Sequence, residues 1–127
     1  MATLSVAAGN AAVNAVVDLL DVGGAGKLVF ATSGDVTVAA CTFTTTPAAF
    51  TTAGSATNGV ATANPITSDT NAAGGTIAKC RLQNNAAATV MAPTVSTSAA
   101  EVNISSLVIG AGDTVTVSSL TVGITVA

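Results

Sequence analysis

The hydrophobic pattern near the start of the chain predicts one amphipathic helix. Apolar residues recur at the i, i+3, i+4, i+7 spacing of a single helical face, at Val13, Val16, Val17 and Leu20. Polar residues fall on another face, at Asn10, Asn14, Asp18 and Asp21. We expect the helix to cover about residues 6–21, with Ser5 as its N-cap and Gly23-Gly24 as its stop.

Asp18 and Asp21 lie near the C-terminal end of this predicted helix, where the helix dipole disfavours negative charge. Lys27, or a cation on a partner, would relieve that misplacement. The candidate interface or structural residues of the helix are therefore Val13, Val17, Asp18 and Asp21.

After the glycines the period of the pattern changes from helical to that of β-strands. Between positions 36 and 45, Ala39, Cys41 and Phe43 alternate with Ala40, Thr42 and Thr44. Turn signals such as Ser33-Gly34-Asp35 separate the alternating segments. The predicted strands cover about residues 27–32, 36–45, 58–66, 76–83, 88–95, 101–109 and 114–126, with a bulge expected at Gly123.

This spacing predicts a mainly β fold in a single domain, 1–127. We expect an antiparallel β-sandwich of about seven strands over residues 27–126, preceded by the one helix. Turns of this kind also account for Asp69-Thr70-Asn71 and Gly112-Asp113, because Asp and Asn side chains bond their own backbone there. We predict neither a metal site nor a cofactor.

The composition indicates a surface with unusually few charged residues. Half of the residues are hydrophobic but only 2% are aromatic, and 7% are charged, giving a net charge of −3. Soluble domains usually carry about 25% charged residues. A surface covered by other proteins would explain the deficit, since interface cores are depleted in charge. The alternative is a monomer coated with Thr, Ser, Asn and Ala.

Charge and residue types also argue against several functions. The three basic residues, Lys27, Lys79 and Arg81, are scattered along the sequence, so we expect no nucleic-acid binding. Polar residues interrupt the most apolar segment, so we expect no membrane span. The chain contains no His, the commonest general base and metal ligand, and we predict that it is not an enzyme.

The sequence leaves open the pairing of the two cysteines and the acidic partner of Arg81. Cys41 and Cys80 could form a disulfide. The N-terminal segment lacks the pattern of a secretory signal, so we expect reduced thiols in a cytoplasmic environment. Arg81 stands in a segment with little charge and could make a bidentate contact with Asp69 or Glu101, or with an acid on a neighbouring subunit.

Several stretches, in order along the chain, carry a resemblance to a known group. They are "AAVNAVVDLLDVGGAG" (11–26), "GVATANPITSD" (59–69), "AKCRL" (78–82), "TVM" (89–91) and "AEVNISSLVIGAGDTVTVSS" (100–119). The chain resembles small virion-associated proteins of tailed bacteriophages that look like head decoration (cement) proteins. It departs from the group just before Arg81, where relatives tend to carry aromatics and this chain has Lys79-Cys80.

The resemblance implies a structural virion protein that binds the outside of the major capsid protein shell and stabilises it. It implies many copies on an icosahedral shell, as a trimer or other ring, made in the cytoplasm of the host bacterium. The helix or an exposed strand edge would make the contact. The alternatives are a neck, tail or fibre component of the virion, or a cell-surface binding module.

Overall fold

A computed structural model describes residues 3–44, 49–50, 59–123 and 126 of the chain. It confirms a mainly β fold with one N-terminal helix. Helix α1 spans Val6–Asp18 and continues as a single 3₁₀ turn, Leu19–Asp21. The predicted helical segment is therefore present, with its last turn tightened.

The ends of the helix follow the local chemistry of the sequence. The Ser5 hydroxyl accepts a hydrogen bond from the Ala8 N–H at 3.2 Å, which confirms the predicted N-cap. Gly23 and Gly24 have φ values of +80° and +130°, a backbone that residues with a Cβ adopt at a cost in energy. The chain therefore leaves the helix at the predicted glycines.

Ten short strands follow. They are β1 Lys27–Ala31, β2 Thr37–Thr42, β3 Val60–Thr62, β4 Gly75–Thr76, β5 Lys79–Gln83, β6 Thr89–Met91, β7 Val95–Ser96, β8 Val102–Ile104, β9 Val108–Ile109 and β10 Val117–Gly123. The count exceeds the expected seven because the predicted strands 76–83, 88–95 and 101–109 are each divided between two elements.

Backbone hydrogen bonds explain why the predicted strand 76–83 is divided. The Ile77 N–H donates to the Leu107 carbonyl, whereas the N–H of the next residue, Ala78, donates to Ala31. The chain thus changes partners within one residue, from the β9 side to β1. The predicted bulge at Gly123 is wrong, because Gly123 pairs in register with Val60 and the irregularity of β10 lies between Val117 and Ser119.

The strands form two four-stranded sheets and a two-stranded ribbon. The first sheet has the order β2-β1-β5-β6, the second has β3-β10-β8-β7, and β4 pairs with β9. All of these pairs are antiparallel except β7 with β8, which run parallel. The expected antiparallel arrangement therefore holds with one exception, at an edge of the second sheet.

Both sheets contribute to one core made mostly of aliphatic side chains. Leu28 and Phe30 of β1 are fully buried, and Leu120 and Val122 of β10 in the second sheet belong to the same core cluster. The predicted alternation of the second strand holds from Ala39 onward, where Ala39, Cys41 and Phe43 are buried, but it fails before that point, because Val38 is buried as well. Helix α1 adds its apolar face to the same core.

Truncation of a central core residue should strongly destabilise the fold. Phe30 is 0% exposed in the central strand pair, so Phe30→Ala should lower the free energy of unfolding by about 3–5 kcal/mol. Urea denaturation measures this change. Val36→Ala is the matched control, because Val36 is 64% exposed and its loss should change stability by less than about 0.5 kcal/mol. Similar losses in both variants would contradict the assigned core.

Candidate interaction surfaces

The structure places the apolar candidate residues of the helix inside the protein. Val13 and Val17 are 1% and 3% exposed and belong to the common core. Helix α1 rests mainly against β3 and, to a lesser extent, β10. Of the two roles considered for these valines, they occupy the structural one, and their side chains are not accessible to a partner.

The acidic candidates at the helix end separate into one internal contact and one exposed group. The Asp21 carboxylate accepts a hydrogen bond from the Ala49 N–H at 3.0 Å, which satisfies one of its oxygens within the fold. Asp18 is exposed. Lys27 makes no ion pair with either of them, so the expected relief by this lysine does not occur.

Arg81 has an intramolecular acidic partner, but neither of the two acids expected. Its Nη1 donates to Asp35 Oδ1 at 2.9 Å, and Lys79 Nζ reaches the same oxygen at 2.9 Å. Asp35 lies in the predicted turn with a φ of +66°. The hydrogen bond and the charge of Lys79, with a smaller contribution from Arg81, hold the pKa of the Asp35 carboxyl below its usual value.

The two acids expected to pair with Arg81 instead bind backbone groups. Asp69 Oδ2 accepts the Ala40 N–H at 2.9 Å, and Glu101 Oε1 accepts the Thr94 N–H at 3.2 Å. Each carboxylate thereby satisfies a backbone N–H group that the pairing of strands leaves without a partner. The prediction of Asp69 or Glu101 as the partner of Arg81 is therefore wrong.

The outer face of the first sheet collects every basic residue of the chain. In the register of β1 with β5, Arg81 stands opposite Val29 and Lys79 stands opposite Ala31, while Lys27 is two residues from Val29 on the same face. Val29 and Ala31 are buried, at 7% and 0% exposure, but lie outside the main core cluster. The charged side chains above them reach solvent, since Lys27 is exposed and the Lys79 side chain is 43% exposed. Residues that are scattered along the sequence thus converge on one surface, which we call the cationic face (Lys27, Lys79 and Arg81).

A second distinctive surface is one side of the sandwich. Strand β6 is the last strand of the first sheet, and β7 is the last strand of the second. The short segment that joins them crosses from one sheet to the other through Pro93, whose carbonyl accepts the Cys80 thiol at 3.3 Å. We call the stretch 89–96 the open edge, because no described segment pairs with the outer side of either strand.

The opposite side of the sandwich is covered in part by the chain itself. Strand β2 is bordered by Thr67, which exchanges backbone hydrogen bonds with Thr42, and by the N–H groups of Ala73 and Gly74, which donate to Val38. Beyond the end of β3, Ala63 bridges to Phe50. Of the four edges of the two main sheets, that of β2 therefore has backbone partners along it, and that of β3 has one just beyond its end.

The two cysteines are free and buried. They lie on β2 and β5, on either side of β1, where Cys41 is opposite Leu28 and Cys80 is opposite Phe30. Two strand spacings alone place them at least about 9–10 Å apart, which exceeds the roughly 7 Å Cα limit for a disulfide. The open question of their pairing is answered by the fold, since they cannot bond to each other in this state.

Concave and metal-binding features are absent from the part of the chain that the structure describes. That part contains no ligand-sized pocket. It also contains no group of three or more Cys, Asp or Glu side chains placed to hold a metal ion. None of its helices has the length and apolar character needed to cross a bilayer.

Burial of the thiols makes the stability depend on alkaline pH. Loss of solvent raises the pKa of Cys80 from 9.0 to about 12, with a smaller contribution from the Glu101 charge. Above about pH 9 the unfolded chain loses this proton and the folded chain keeps it. The free energy of unfolding should therefore fall as pH rises from about 9 to 12, by at most about 1.4 kcal/mol per pH unit for this thiol.

Urea denaturation at about pH 8 and about pH 11 checks this expectation, with Cys80→Ala as the comparison. The fall should be smaller in the variant but not abolished, because burial also raises the pKa of Cys41. The chain has no tyrosine whose ionisation would obscure the effect. An equal fall in both proteins would show that Cys80 is not the group responsible.

Comparison with known proteins found no relative of this chain. No protein-family model, no curated protein and no solved structure matches the chain significantly. The functional interpretation therefore rests on the two surfaces described above, and the resemblance to phage decoration proteins stays a prediction.

Proposed function

We propose that this chain is a structural virion protein of a tailed bacteriophage, a capsid decoration protein that binds the outside of the major capsid shell and stabilises it. The observation that carries the proposal is the open edge, 89–96. It presents two strand edges side by side on one flank of the sandwich, available to an extended segment of a shell protein or of a neighbouring copy.

The chemistry of the open edge favours association with another strand. Its sequence is TVMAPTVS, which contains no charged residue and is rich in Thr and Val. Proteins that must stay apart usually protect an edge with charged side chains, bulges or proline. Here Pro93 and the shortness of the strands provide some protection, but no lysine or glutamate within the stretch repels a partner.

Exposed apolar side chains are also present away from this edge. Leu19 and Val22, which follow helix α1, are 51% and 58% exposed, and Val108 of β9 is 71% exposed. The exposed side of the helix carries alanines at positions 11, 12 and 15, so Asp18 is its only charge. Such a surface loses little solvation free energy when a neighbour covers it.

The proposed mechanism is physical. Each copy would add contact area where neighbouring shell subunits meet, and each contact can be modest because many copies act together. An aliphatic core with few aromatics suits this role, since contacts with the shell would add to the stability of the decoration protein itself. The chemistry required is strand pairing and apolar contact, with no reaction step.

The copy number on the particle tests this proposal directly. Quantitative mass spectrometry of purified virions should find on the order of hundreds of copies of the chain in each particle. Heads that lack the protein should still assemble but should release their DNA at a lower temperature. About a dozen copies would identify a neck, tail or fibre component instead, and a chain absent from virions would overturn the proposal.

Charge placed on the open edge should weaken binding to the shell. Thr89 and Ala92 are exposed, so Thr89→Lys with Ala92→Lys should leave the fold intact while setting two charges beside any added strand. We expect a loss of affinity for heads lacking the protein of about tenfold or more. Sedimentation of the chain with such heads measures the loss.

The matched control places the same two charges on the other side of the sandwich. Ala111 and Thr114 are also exposed, and they adjoin Asp113, whose carbonyl accepts the Ala72 N–H close to the covered edge of β2. Ala111→Lys with Thr114→Lys should bind the heads like the unaltered chain. Equal weakening in both double variants would show that added charge, and not the open edge, determines binding.

A further inference from the structure

The chain has a charge asymmetry that its net charge conceals. Three cations and one acid, Asp35, lie together on the cationic face, which leaves two positive charges there, whereas none of the other five acids forms an ion pair among the described residues. These five are Asp18, Asp21, Asp69, Glu101 and Asp113. A net charge of −3 thus combines a positive face with a negative remainder.

From this asymmetry we infer that the cationic face binds an acidic segment of a partner protein, with carboxylates at alternate positions of an extended chain. This inference rests on the proposed function for the identity of the partner, a shell protein, but not for the chemistry of the face. Lys79 and Arg81 are two residues apart on β5, a separation of about 7 Å that alternate side chains of an extended segment share.

The side chains of the face leave capacity for such a ligand. Arg81 uses Nη1 toward Asp35, and the rest of its guanidinium fork can still meet a carboxylate with two parallel hydrogen bonds. Lys27 is exposed and makes no ion pair among the described residues. Val29 and Ala31 lie between the cations and are only 7% and 0% exposed, so a ligand would meet the charged side chains themselves.

The observations favour an acidic protein segment over a nucleic acid. Binding of a long polyanion draws its affinity from many phosphate contacts, and the cationic face offers three. No aromatic residue stands on the face to stack against a base, since Phe30 and Phe43 point into the core.

Asp35 acts in this proposal as an internal competitor. One carboxylate oxygen of Asp35, Oδ1, contacts both Lys79 and Arg81. An incoming carboxylate must therefore share these two cations with Asp35 or displace it. The Asp35 side chain is 62% exposed, so exchange of one carboxylate for another costs little desolvation. Removal of this carboxylate should therefore strengthen binding, an effect that a purely structural ion pair would not produce.

Fluorescence anisotropy with two labelled peptides tests the inference. One peptide carries three glutamates at alternate positions, and the other carries glutamines instead. Only the glutamate peptide should bind measurably. Lys27→Gln should weaken that binding by about two- to fivefold, and Asp35→Asn should strengthen it by a similar factor, as expected for exposed ion pairs.

These variants are chosen to keep the fold. Lys27 is exposed, and Asn tolerates the positive φ of position 35 as well as Asp does. Asp18→Asn is the control for Asp35→Asn, because it changes the net charge equally from an exposed position on the helix. Its effect on peptide binding should be smaller than that of Asp35→Asn.

Several results would overturn the inference. They are equal binding of the two peptides, affinities unchanged in Lys27→Gln and Asp35→Asn, and tighter binding of a thymidine oligonucleotide than of the glutamate peptide. Self-association in sedimentation that Lys27→Gln abolishes would assign the face to a second copy and also refute it. None of these results bears on the copy number in virions, so failure here is distinguishable from failure of the proposed function.

Discussion

The alternation of side chains along β1 is the constraint on which the rest of the structure depends. Backbone hydrogen bonds to β2 and β5 hold this strand in register on both sides, so its successive residues must point to opposite faces. Leu28 and Phe30 consequently enter the core, and Val29 and Ala31 form the floor of the outer face. A slip of one residue would exchange the two sets and bury Lys27.

The two faces of the first sheet therefore have different roles. Its inner face is aliphatic and supplies the core, while its outer face gathers the chain's few cations. The open edge adds a third role, because a backbone with unpaired donors and acceptors offers strand pairing without any special side chain. In the two proposals above, a protein with so few charges and aromatics would be recognised through its backbone at the edge and through its charges on the face.

Local features of the fold were predictable where neighbouring residues decide them. Ser5 caps the helix, Gly23 and Gly24 end it, and Asp35 lies in its expected turn. Sequence reasoning failed where a segment changes partners, as at Ile77 and Ala78, whose adjacent N–H groups donate to different strands. It also missed Asp35 as the partner of Arg81, since 46 residues separate them and only the register of the first sheet brings them together.

The sequence by itself determined the helix, the alternating strands, the turns and the aliphatic character of the core. These follow from periodicity and from the conformational preferences of adjacent residues, which a linear chain already contains. Only the tertiary structure decided the order of strands in the sheets, the separation of the two cysteines, the open edge and the convergence of Lys27, Lys79 and Arg81. Those features depend on which distant strands pair, and pairing is selected by the burial of whole faces rather than by any local signal.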